Sequence, residues 1–298
     1  MPEIQNPFHL AGCISLESRK QAFGFQWHDS LMPVGQNITA IEAAIYECAC
    51  AGCESIWITV DDNWMPLIKE RIGDFILDPV WSYRRHDPLP FESQKAIPIF
   101  LVPHFPRHIN RRDSLGWGII NAAIYAHKST KRLSNFITPS MFYGTFVFGL
   151  YDPRYLIKIR TQISSNKKSF LRHNNKTVAE DLQLAFTFDW EDVKKIDAHL
   201  RKTTTGMYKQ IGEYVPDNQD AWLEKLPLSE RYSAKNFKLS EVFSPLDTKN
   251  ACFFDVAWYN DISTWDEYKK FLSGEFRFRK PKEMTNEKLF RIADDERV

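Results

Sequence analysis

Carboxylates placed just after apolar runs are the residues of this chain best suited by type and spacing to do chemistry. In residues 252–272, CFFDVAWYNDISTWDEYKKFL, an apolar and β-branched run leads to Trp258-Tyr259-Asn260-Asp261, then Ser263-Thr264, then an amphipathic stretch. The pattern predicts a buried strand that delivers Asp261 to its carboxyl end, followed by a helix capped after Ser263. Open α/β sheets bind ligands at that edge, so an acid there is suited to hold a cation or a phosphate. Asp61 and Asp62 repeat the arrangement after Ser55–Val60, the run SIWITV. They read either as caps of a helix beginning near Trp64 or as ligands of a ribose or a metal.

Basic groups supply the complementary chemistry. Arg107-His108-Ile109-Asn110-Arg111-Arg112 is the densest basic patch of the chain's interior and follows a predicted strand over 96–102. Guanidinium groups at a sheet edge suit bidentate phosphate capture. The alternative is a solvated loop in which Asp113 pairs with Arg111 or Arg112. His104 and His108 stand four apart, but Pro103 and Pro106 argue against a helix and so against a zinc pair on one face. Cys48, Cys50 and Cys53 have metal-like spacing. In a helix, however, Cys48 and Cys50 point to different faces, which predicts packed, reduced thiols. Trp117 either stacks on a base or is buried between helices.

The elements that must position these groups alternate. Strands are predicted over 8–12, 55–60, 96–102, 135–138 and 184–189, and a further element starts at 146–150. Helices are predicted over 39–51, with Thr39 as cap and Gly52 past the end, and over 64–72, 116–128, 151–160 and 191–202. The polar, basic stretch 161–176 reads as an exposed loop. The alternation predicts an α/β fold: a mostly parallel, mixed central sheet with helices on both faces, in one domain over 1–276. The charged tail 277–298 is expected to be mobile or to dock weakly.

Composition narrows the partners. The chain has 298 residues, 43% hydrophobic and 26% charged, with a formal net charge of +1. That balance gives no reason to expect nucleic acid or an anionic membrane as partner. No apolar run is long enough for a transmembrane helix, and residues 1–12 lack a secretory leader's pattern. Five cysteines, an odd count, suit reduced thiols in a cytoplasm.

The order of motifs resembles the sugar nucleotidyltransferase family, the NDP-sugar pyrophosphorylases, over roughly residues 8–272. The resemblance is carried by Leu10-Ala11-Gly12, Ser30-Leu31-Met32-Pro33-Val34-Gly35, Ala51-Gly52 before the second strand, and Leu115-Gly116-Trp117-Gly118 at a helix start. Met141-Phe142-Tyr143-Gly144, residues 184–189 and the closing segment with Asp261 follow in the family's order. The resemblance implies the nucleotide-diphospho-sugar transferase (GT-A, Rossmann-like) fold. It implies that Ala11, Gly12, Gly116, Trp117, Arg111 and Arg112 bind the nucleotide, and that Asp261 and Arg19 serve catalysis. It also implies that Mg2+ is held by Asp261 with Asp61 or Asp62 assisting. The reaction would join a sugar phosphate to a nucleotide with release of pyrophosphate.

The chain is a divergent member of that pattern, with degraded catalytic motifs. Where the family has a glycine-rich loop with a Thr-Arg pair, this chain has Cys13-Ile14-Ser15-Leu16-Glu17-Ser18-Arg19. His28-Asp29 replaces a Pro-Lys pair, and no acid falls at Thr138-Pro139-Ser140, where the partner of Asp261 is expected. A second expectation therefore stands beside the enzyme: a non-catalytic binding or assembly protein on the same fold, with a homo-oligomer or a protein partner in reach. A glycosyltransferase of this fold would need paired acids near 138–141, which are absent.

Overall fold

Short apolar runs become strands, and the longer amphipathic segments between them become helices. The computed structural model describes residues 8–16, 23–83, 95–104, 108, 111–112, 114–234, 236–274, 278–281 and 284. The chain opens with β1 (Leu10–Ser15), β2 (Pro33–Gln36), β3 (Ile38–Thr39), α1 (Ala40–Ala51) and β4 (Ser55–Val60). Next come α2 (Met65–Ile72), β5 (Phe75–Leu77), α3 (Pro79–Tyr83), β6 (Ala96–Pro103) and α4 (Leu115–Leu133). The middle holds β7 (Met141–Thr145), β8 (Gly149–Leu150), α5 (Arg154–Ile163), β9 (Ser169–Arg172), β10 (Phe186–Phe188) and α6 (Trp190–Thr203). An exposed hairpin of β11 (Tyr208–Gln210) and β12 (Leu223–Lys225) precedes α7 (Leu239–Phe243). The chain ends with β13 (Cys252–Asp255), β14 (Asn260–Asp261), α8 (Trp265–Ser273) and β15 (Phe278–Arg279).

Eight strands form one mixed sheet in the order β13-β9-β10-β7-β1-β4-β6-β5. The central four, β7, β1, β4 and β6, are mutually parallel, while β10 and β5 run against their neighbours. Strands β1 and β4 are buried along their whole length, which is why both read as continuous apolar runs. Two cores flank the sheet. On one face Ile41 and Ile45 of α1 pack with Leu156 and Ile159 of α5, and on the other Ile119 and Ile120 of α4 meet Val193 and Ile196 of α6. Helix α1 is framed as expected: the Thr39 N–H donates to Glu42 Oε2 at 2.8 Å, and Gly52 ends it at φ 98°, a left-handed turn that favours glycine. Among the described residues, no helix is long and apolar enough to cross a membrane.

Several local expectations are corrected. Residues 135–138 form a 3-10 turn (Asn135–Ile137) held by the Ser134 hydroxyl, and the strand lies further on, at Met141–Thr145. The supposed loop 161–176 contains the end of α5 and the interior strand β9. Its flanking cations had hidden it: Lys168 pairs with Asp192 and Arg172 with Asp255, so the basic ends are matched while Phe170 and Leu171 are buried. The strand at 252–255 is a half-exposed edge strand that ends at Asp255. Asp261 comes instead from β14, which pairs antiparallel with β8, and Thr264 rather than Ser263 caps the helix that follows. Beyond α8, β15 pairs with β2 and Lys280 Nζ lies 3.0 Å from Glu42 Oε1.

Candidate functional site

Strand order reverses beside β1. The chain steps outward through β4 to β6, and α4 then carries it back across the sheet to β7. A reversal of this kind leaves a crevice outside the carboxyl ends of the strands. The chain leaving β7 turns into β8, and Asp261 lies opposite Gly149 there. Its Oδ1 accepts from the Ser263 N–H at 2.9 Å, and Gln183 Nε2 donates to both carboxylate oxygens at 3.3 and 3.4 Å. Gln183 is buried, its own N–H donates to the Tyr259 hydroxyl, and its Oε1 has no hydrogen-bond partner among the described residues.

Asp61 leaves β4 at the same edge. Its Oδ1 accepts from the Asn63 N–H at 2.9 Å and its carbonyl accepts from the Trp64 and Met65 N–H groups, so it shapes the entry to α2. Asp62 beside it is exposed. The ends of β4 and β7 stand two strand spacings apart, about 10 Å, on either side of β1. His28 lies on this edge as well. Its Nε2 is 3.1 Å from the Leu16 carbonyl and its Nδ1 2.8 Å from the Ser30 hydroxyl. Burial holds its pKa below the usual imidazole value against the opposing pull of the Leu16 carbonyl, Asp29 and Asp61.

Ala11 and Gly12 sit in mid-strand, because β1 runs on to Ser15. Glycine at 12 lets α1 close down on the sheet, since a Cβ there would meet Cys48 Sγ at 2.9 Å. Arg19 lies outside the described residues. Among the described residues, no three His, Cys, Asp or Glu side chains gather where they could hold a metal ion. Cys48, Cys50 and Cys53 are buried, and none forms a disulfide among the described residues.

Arg111, Arg112 and Trp117 come together elsewhere, in a cavity of about 420 Å³ between α4 and α6. Ser114 caps α4 by accepting from the Trp117 N–H at 3.3 Å. Trp117 is 2% exposed, with the Arg112 guanidinium 5.3 Å from its ring centroid and the His108 ring edge-on at 5.3 Å. Gly116 serves helix packing: a Cβ there would meet Val242 of α7 at 2.8 Å. One stripe of α4 lines the cavity with Trp117, Asn121, Ile124 and Lys128, and one stripe of α6 faces it with Trp190, Lys194, Asp197 and Arg201. His127 stacks flat on Trp190 at 3.8 Å beside it. Sequence reading missed the α6 contribution and Asn121. The spacing of Trp117, Asn121, Ile124 and Lys128 along one helical face was the available signal.

No protein-family model matches the chain, and no curated protein matches it. Solved structures do. The chain is similar to a protein from Bacillus anthracis described as a glucose-1-phosphate thymidylyltransferase, in complex with a sucrose. Identity is 9%, the TM-score 0.53, and the match covers 92% of this chain and 98% of that one. A UTP-bound UGPase from Acinetobacter baumannii matches at 12% identity and a TM-score of 0.46, covering 96% of this chain and 99% of that one. The 4-diphosphocytidyl-2C-methyl-D-erythritol synthase of Anaerococcus prevotii matches at 9% identity and 0.46, over 89% and 94%. At these identities the likeness is one of fold, and this chain has the fold on which the sugar nucleotidyltransferases are built.

Proposed function

We propose that the protein is nucleotidyltransferase-like: it binds a nucleoside triphosphate or a nucleotide sugar at the carboxyl edge of β1, β4 and β7. The observation that carries this reading is Asp261 with the buried Gln183 beside it, at the point where strand order reverses. Gln183 Oε1 is an acceptor in want of a donor, which a sugar or ribose hydroxyl supplies. Arg19, four residues past β1 in sequence, is the phosphate contact we assign; Arg111 and Arg112, which follow β6, line the cavity between α4 and α6 instead. The reaction we assign is in-line attack of a sugar phosphate oxygen on the α-phosphorus of the triphosphate, with pyrophosphate leaving. The described carboxylates do not build a resident metal site by themselves. Magnesium would arrive on the triphosphate, and Asp261, with Asp61 or Asp62, is the carboxylate set we assign to meet it. Five cysteines, none in a disulfide among the described residues, fit a reducing compartment such as the cytoplasm.

One observation favours the non-catalytic reading. Asp61 and Asp261 each accept from a backbone N–H two residues on, so both carboxylates already have a structural task. A thermal-shift titration with nucleoside triphosphates and nucleotide sugars, with magnesium and with chelator, separates the cases. A ligand at a hundred times its Kd stabilises by about 2.7 kcal/mol. The proposal expects a shift with one nucleotide that Asp261→Asn removes, and pyrophosphate release when a sugar phosphate is added. A shift without pyrophosphate release in any pairing selects the binding protein. No shift across the panel overturns both.

A further inference from the structure

The resemblance gives Gly116 and Trp117 to the nucleotide, but the turn that carries them is closed in this chain. Gly116 packs on Val242, where an added Cβ would come within 2.8 Å, and Trp117 is 2% exposed. A base held at the sheet edge needs another surface, and aromatic rings are the side chains that stack on one.

The segment between β1 and β2 supplies such rings. In Phe23-Gly24-Phe25-Gln26-Trp27 the aromatic residues alternate. Phe23 and Phe25 lie nearly parallel, with centroids 5.8 Å apart and 14° between planes, and Phe25 and Trp27 follow at 5.0 Å and 11°. Trp265, at the start of α8, meets Phe23 and Phe25 edge-on at 5.2 and 5.6 Å. The series is graded in burial. Phe23 is 7% exposed and meets Tyr268, whereas Trp27 and Trp265 are 45% and 41% exposed. Core packing accounts for the inner ring. It gives no reason for two contiguous tryptophans at the open end, and exposed apolar groups that adjoin in this way mark binding surfaces.

The rings stand beside the proposed site. Trp27 precedes His28, whose Nε2 is 3.1 Å from the Leu16 carbonyl just past β1 and whose ring meets Trp64 at the entry to α2. Trp265 follows Asp261 by four residues, and Thr264 between them caps α8. The contact of Phe25 with Trp265 therefore joins the two segments that bring His28 and Asp261 to the edge.

We propose that Trp27 and Trp265 form a stacking shelf for the base of the nucleotide bound at the sheet edge. The inference rests on the nucleotide reading above and adds to it the place of the base. One face of Trp27 lies on Phe25, and the base takes the next position in the parallel series, with Trp265 at its margin. Every base has a π-face, so the shelf holds purines and pyrimidines alike.

Isothermal titration of the full chain tests this, with ATP, GTP, CTP and UTP, each with magnesium, and with magnesium tripolyphosphate as the ligand that lacks a base. At least one nucleotide is expected to bind about tenfold tighter than tripolyphosphate or better. Trp27→Ala should weaken that nucleotide by at least about tenfold and leave tripolyphosphate unchanged, and Trp27→Phe should recover most of the loss. Trp27→Leu keeps apolar bulk without a π-face and should behave as the alanine variant. Trp265→Ala should weaken the nucleotide by about threefold. If Trp27→Ala does not fold, the leucine and phenylalanine variants carry the same comparison. Full nucleotide affinity in Trp27→Leu overturns the proposal, and so does an equal loss of nucleotide and tripolyphosphate, which would make Trp27 a support of the phosphate site. In both cases nucleotide binding survives as a reading and only the place of the base is wrong. Binding of no nucleotide to the unaltered chain removes that reading and the shelf together.

Discussion

The two faces of the central sheet differ in how fully their buried polar groups are met, although Arg71 Nε is unmet on the α1 face and Lys168 answers Asp192 on the α4 face. On the α1 face, Glu47 is buried, yet Thr145 Oγ1 donates to it at 2.6 Å and the Tyr143 hydroxyl at 3.0 Å. Glu42 accepts from Arg71 at 2.8 Å and lies 3.0 Å from Lys280, and Asp78 takes both arms of Arg160 at 2.7 and 2.5 Å. On the α4 face, Trp117 Nε1, Asn121 Oδ1, His127 Nδ1 and Asp197 Oδ1 are buried without such partners among the described residues. Polar groups that answer one another rigidify a fold, and groups left unanswered carry a cost. The first face is where the protein secures its structure. On the second, unmet groups lie beside a cavity of about 420 Å³.

The sharpest way to break the contrast is to remove a matched carboxylate. Glu42→Ala strands Arg71 and Lys280 and should cost about 3–5 kcal/mol, read as a lower urea midpoint. Next comes Glu47, whose pKa is pushed from its ordinary 4.5 up to about 7, by burial first and against its hydroxyl donors. A raised carboxyl pKa favours the protonated folded state. Its contribution is complete below the unfolded value and is lost as pH rises through about 7. Stability should therefore fall by about 3 kcal/mol between pH 4.5 and 8 on this account. In Glu47→Gln that part of the pH slope should vanish, which equilibrium unfolding at several pH values measures.

Smaller effects belong to the other face and to the surface. Asn121→Leu should raise stability by about 1 kcal/mol without ligand, the opposite sign to any change at Glu42. A drop instead would erase the distinction between the faces. Arg172 and Asp255 pair on the solvent side of the edge strands, and Asp255→Ala should leave the Tm unchanged within error in moderate salt.

Much of the framework was legible because it is written locally. The apolar run at 55–60 and the Thr39 and Gly52 boundaries of α1 needed only near neighbours. Strand β9 was illegible because SFLR is too short to show a period, and what buries it, β13 and β10, is distant in sequence. The candidate sites divide the same way. Arg111, Arg112 and Trp117 were visible as a patch beside a helix start, whereas Lys194, Asp197 and Arg201 join them only because α6 packs across α4. Asp261 was noticed for its place after an apolar run, but its strand was misassigned, since a two-residue pairing with β8 leaves no trace in composition.

The docking of β15 on β2 has a consequence for how the protein is made. The Tyr268 hydroxyl donates to the Pro33 carbonyl at 2.6 Å across 235 residues of sequence, and Phe278 pairs with Gly35 beside it. At synthesis rates of roughly 5–20 residues per second, the early segment waits roughly 10–50 s for its partner. Through that interval β2 and the Glu42 carboxylate lack the strand and the lysine that later cover them. A nascent chain of this kind finishes its beginning last.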